Sequence, residues 1–204
     1  MAPLLGTFGS VTFIRKLAAE ILYASGDPLS AAALFEQAAK RLPDRAVAVG
    51  LVASYAALNR AGDARRSAAL LPEQIDVRLA LAWAELVALG GDRVRGAALV
   101  DAITSDPEVA ASAERIAMHR ALEAIVVARS GDRDGVRAKL REAEAGAMKL
   151  RAGDRAFLGY LGGVALREAG LVDDALATFA IAMDASPDSI GAALARRERA
   201  NLAR

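Results

Sequence analysis

Two stretches decide the fold: GDPLSAAALFEQAAKRLP at residues 26–43 and GLVDDALATFAIAMDASP at residues 170–187. Each opens on a glycine and then places the same residue types at the same offsets. After Gly26 these are Ala31, Phe35, Ala38 and Pro43; after Gly170 they are Ala175, Phe179, Ala182 and Pro187. Glycine accepts the left-handed backbone that ends a helix, and a following Asp can cap the N–H groups that open the next one. Each stretch therefore reads as the turn and second helix of a helical hairpin.

Working outward, Gly-Asp pairs recur at Gly62-Asp63, Gly91-Asp92 and Gly131-Asp132. Successive turn glycines are 36, 29, 40 and 39 residues apart. Every turn lies between Ala- and Leu-rich amphipathic stretches, so five hairpins are expected in series. The predicted helices span about 11–25, 28–42, 45–61, 63–71, 73–89, 92–104, 107–130, 133–151, 154–169, 171–185 and 188–203. Ser105-Asp106-Pro107-Glu108 is a helix start, with a cap, proline in the first turn and an acid at the positive end of the dipole.

The pattern resembles the tetratricopeptide repeat, a helical hairpin of about 34 residues. In that family the two alanines sit where helices cross most closely, the aromatic fills the gap between them, and proline ends the second helix. The resemblance implies an all-α fold: a right-handed α-solenoid of about five hairpins over residues 15–187. A tail at 1–14 would precede it and a capping helix at 188–204 would follow. The first and last units carry the fuller pattern. The second reaches Pro72 soon after Leu70 and Leu71, and the third reaches Pro107 early and has no aromatic. The fourth runs long, with Val136, Leu140, Ala143, Ala147 and Leu150 in one stripe.

Composition agrees with helices. Hydrophobic residues make up 54% of the 204 but aromatics only 4%, so the apolar content is mainly Ala, Leu and Val. Ala and Leu lose little on entering a helix, and period-two alternation for strands is scarce. A net charge of +1, from 26 basic and 25 acidic residues, gives no electrostatic case for nucleic acid. With no Cys there is no disulfide, thiolate zinc site or cysteine nucleophile. Met1 to Ile14 is apolar, but its basic residues, Arg15 and Lys16, follow it, the reverse of a signal peptide. That stretch is too short to span a bilayer. A cytoplasmic location is expected; a periplasmic or membrane-associated one stays open if the stretch is the remnant of an anchor.

No catalytic constellation is legible, and a non-enzyme without cofactor or metal is expected. His119 and Glu123 stand four apart on a helix, but no further His or Cys completes a metal site. His119 borders an apolar stripe and reads as a structural histidine. Glu142 and Glu144, two apart on a helix, point in different directions. Gly159 to Gly163 is glycine-rich but lies within a predicted helix, where it allows close packing. No P-loop, nucleophile elbow or dinucleotide fingerprint occurs.

The resemblance also implies where a partner would bind, since first helices line the concave face of such solenoids. Registered from the glycines, that face comprises Lys16, Glu20 and Tyr23, with Phe13 nearby; Val52, Ala56 and Asn59; and Arg78, Leu81 and Glu85. Later units add Ala121 and Ile125, then Phe157, Tyr160 and Val164. An apolar groove of this kind hosts an amphipathic helix or extended peptide of another protein, and it could equally bury itself in a homodimer. Some family members grip a terminal carboxylate with Lys and Asn; here Lys16 fits but Glu20, Val52 and Ala56 do not. The expected function is therefore a non-catalytic adaptor or assembly factor. One alternative is an assembly or chaperone factor of a bacterial pilus or secretion machine. Another is a nucleic-acid or signalling regulator acting through Arg196, Arg197, Arg199 and Arg204.

Overall fold

The structure is a computed structural model that describes the backbone of residues 2–202 and the side chains of residues 11–202. Arg204 lies outside the described residues. All regular structure among them is helical: α1 (Ala2–Ala24), α2 (Pro28–Ala39), α3 (Arg45–Ala57), α4 (Ala61–Ala68), α5 (Ile75–Val87), α6 (Arg93–Ala102), α7 (Pro107–Ala110), α8 (Ala113–Ala128), α9 (Arg133–Ala147), α10 (Ala152–Glu168), α11 (Val172–Ala185) and α12 (Ile190–Leu202). The chain divides into two compact units, Met1–Asp92 and Arg93–Arg204.

The turn chemistry holds at three glycines. Gly26, Gly131 and Gly170 have φ of 83°, 75° and 72°, the left-handed region. Asp27 caps α2 through Ser30 N–H at 3.0 Å, and Asp132 caps α9 through Gly135 N–H at 2.8 Å. Two turns are shifted. The second is made by Asn59, at φ 58°, and Gly62 already lies inside α4. Asn tolerates the left-handed region because its short amide bonds locally. In the third, Gly90 rather than Gly91 is left-handed.

Helix limits differ in two further places. α1 begins at Ala2, so residues 2–14 are helical rather than a tail; Gly6, Gly9 and Ser10 weaken a helix without ending it. The single helix expected over 107–130 is two, α7 and α8. Ser112 breaks it by adopting extended backbone and accepting from Arg115 N–H at 3.4 Å.

In unit 1, α1 and α2 form a hairpin, α2 packs on α3, and α3 packs on α4 and α5. α3 and α5 carry the core. Val47, Leu51, Val52 and Tyr55 of the first are buried, as are Ile75, Leu79, Leu81, Trp83 and Leu86 of the second. In unit 2, α10 is central, packed by α8, α9, α11 and α12. Gly191 lets α12 approach α10 backbone to backbone: a Cβ there would lie 2.3 Å from Phe157 N. Phe35 and Phe179 are buried in their own units, each contributing roughly 1.5–3 kcal/mol by leaving water.

Candidate interaction surfaces

The residues expected to line a groove divide between the two units, and most of them are core. Val52, Ala56, Leu81 and Glu85 are buried in unit 1; Ala121, Ile125, Tyr160 and Val164 are buried in unit 2. Each of these eight is at most 6% exposed. The cause lies in the helices that carry them. α3 and α10 are flanked by neighbours on several sides, and both they and α5 are apolar nearly all round. An all-round apolar helix is an interior one.

Six predicted positions keep some access. In unit 1, Glu20 is exposed, and Lys16, Tyr23, Asn59 and Arg78 are half-buried. Phe157, half-buried in unit 2, stands 5.8 Å from the Tyr160 ring, centroid to centroid. Asn59 serves the turn described above. Lys16 is engaged internally: its Nζ lies 2.7 Å from Asp44 Oδ2. Asp44 meanwhile caps α3 through Val47 N–H at 2.9 Å. Burial opposes ionisation of Asp44, but the bonds from Lys16 and Val47 outweigh it and hold the carboxyl below the usual range. This pair contributes stability above the ordinary carboxylate pKa, lost as pH falls through the lowered value.

Glu85 has a structural role that the sequence did not reveal. Its side chain is fully buried and accepts both Arg65 Nε at 2.7 Å and Arg65 Nη2 at 2.6 Å, clamping α4 to α5. Asp92 N–H adds a third bond at 2.7 Å. Such a fork neutralises a carboxylate that could not be buried alone.

His119 is also interior. Its Nε2 lies 3.0 Å from Val100 O and 3.4 Å from Thr104 Oγ1, and its Nδ1 is 3.9 Å from Glu123 Oε2. Burial opposes the charge on Glu123, yet Arg120, His119 and Lys139 around it hold its carboxyl below the usual range. No group of three His, Cys, Asp or Glu side chains able to hold a metal ion occurs among the described residues.

Of an exposed apolar surface of unit 1, sequence reasoning picked out only Phe13. Phe13, Ile14, Leu17 and Ile21 on α1 are 59%, 61%, 46% and 60% exposed. Thr12, Lys16, Ala19 and Tyr23, spaced four, three and four apart, form the opposite face, where Thr12 and Ala19 are buried. So α1 buries one side in its unit and leaves a second apolar stripe in solvent. The alternation of apolar residues around the whole helix was the available signal.

No described helix is long and apolar enough to cross a membrane. No protein-family model matches this chain, and neither a curated protein nor a solved structure matches it.

Proposed function

We propose that this chain is a non-catalytic interaction module, a tetratricopeptide-like α-solenoid of about five hairpins closed by α12, whose α1 receives an amphipathic helix of another protein. The observation that carries the reading is the exposed stripe of Phe13, Leu17 and Ile21, spaced i, i+4, i+8, with Ile14 beside it. Four large apolar side chains aligned on one helical face lose solvation free energy together when covered. Their helical spacing matches the anchors that a second helix would offer. The repeat assignment is supported by the equal offsets of Phe35 and Phe179 and by the burial of both rings with their flanking alanines.

A photo-crosslinking residue at position 17, with the exposed Arg41 as control site, tests this. A polypeptide adduct specific to position 17, and lost when Ile21 is changed to Glu, is the expected result. Labelling at position 17 no greater than at position 41 would overturn the reading. An adduct of twice the chain's mass would also overturn it, because the occupant would then be a second copy.

A further inference from the structure

Unit 2 holds an open cleft of about 390 Å³ between α9 and α11. Leu140, Leu166 and Ala177 supply its apolar lining, with Leu166 buried and Ala177 exposed. Its rim is charged: Arg137 and Arg141 stand one turn apart on α9, and Arg137 reaches Asp174 of α11 at 2.9 Å. Arg133 continues the row one turn earlier, with its Nε 3.2 Å from Ala169 O at the end of α10. Among the described residues, neither Arg133 nor Arg141 takes part in an ion pair.

The spacing of this row selects a ligand shape. Four helical residues rise about 6 Å, close to the roughly 6.6–6.8 Å between alternate residues of an extended chain. An extended segment with acids at every second position would present one carboxylate to each successive guanidinium. Its intervening side chains would turn away from the arginines, towards the apolar lining. The Arg137–Asp174 bridge is half-exposed, so solvent weakens it, and a guanidinium has donors enough to bind a second carboxylate. Glu144, three residues beyond Arg141 on α9, also lines the cleft.

We infer that this cleft binds an extended segment of a partner protein in which acidic and apolar residues alternate. The site goes beyond the α1 reading and lies in the other unit, so its failure would leave that reading standing.

The test is fluorescence anisotropy of the whole chain with a labelled Glu-Leu-Glu-Leu-Glu peptide at low salt. The comparison peptides are Glu-Glu-Glu-Leu-Leu, of equal composition, and Lys-Leu-Lys-Leu-Lys. Saturable binding of the first is expected, at least tenfold tighter than the second and absent for the third. Arg141→Glu, at an exposed position, should weaken it about tenfold or more, and Ala177→Trp should obstruct the cleft without altering charge. Equal affinity for the two acidic peptides would reduce the cleft to a general positive patch and overturn the inference. Binding unchanged in both variants, or no saturable binding at all, would overturn it as well.

Discussion

The ring of Phe179 fills the space that a side chain on Gly163 would need: a Cβ at Gly163 would lie 2.3 Å from Phe179 Cε1. Phe35 repeats the relationship in unit 1, where a Cβ at Gly50 would lie 2.3 Å from the Phe35 ring. The two phenylalanines share an offset from their turn glycines, yet their partners lie on opposite sides in sequence. Gly163 belongs to α10, the helix before Phe179, whereas Gly50 belongs to α3, the helix after Phe35.

Gly163→Ala should therefore destabilise unit 2 by about 1–3 kcal/mol, because overpacking outweighs the gain in helix propensity. Urea denaturation measures the loss, and Phe179→Leu in the same chain should recover part of it. Gly191→Ala should cost more, since its Cβ would meet the backbone of Ala156 and Phe157, which has no rotamer to yield. Equal midpoints for the two alanine variants would contradict this packing.

The Arg65–Glu85 clamp predicts an asymmetry. Arg65 is 36% exposed and Glu85 is fully buried. Arg65→Met takes two charge-assisted hydrogen bonds from a buried carboxylate and should cost about 3–5 kcal/mol. Glu85→Gln leaves the guanidinium able to reach water and should cost less, about 1–3 kcal/mol. Thermal melts of the two variants decide the order; the reverse order would place the buried charge elsewhere.

Tyr55 sets an alkaline limit. Burial, the hydrogen bond its hydroxyl donates to Glu36 and the negative charge of Glu36 push its pKa up to about 12. A raised folded pKa means stability fully present below the ordinary phenol value and lost as pH rises through the folded one. Stability should thus decline from about pH 10 towards 12. Tyr55→Phe should flatten that decline while lowering stability at neutral pH. Melting temperature against pH is the measurement, with phenolate absorbance following the ionisation.

Ser54, fully buried in α3, has a hydroxyl without a hydrogen-bond partner among the described residues. An unsatisfied buried hydroxyl costs about 1–3 kcal/mol. Ser54→Ala removes it and adds helix propensity, so the midpoint of unfolding should rise. A fall in midpoint would mean that the hydroxyl is bonded.

The sequence by itself determined the helices and most of their turns. Glycine at 26, 131 and 170 and Asp at 27 and 132 act within a few residues of chain, so local chemistry is enough to read them. The same locality explains the misplaced turn at Gly62: Asn59 reaches the left-handed region first. The break at Ser112 is local too, and a serine that accepts its own helix's N–H was legible in principle.

Which face of each helix is covered was decided only by the tertiary structure. Val52, Leu81 and Tyr160 sit on helices that are apolar nearly all round, where periodicity names no outward side. Burial there depends on how many neighbours the folded unit supplies, a non-local quantity. On α1 the same ambiguity resolved the opposite way, leaving Phe13, Leu17 and Ile21 in solvent. The Arg65–Glu85 clamp and the Arg137–Asp174 bridge of the α9–α11 cleft join residues 20 and 37 positions apart, separations that only packing brings within reach.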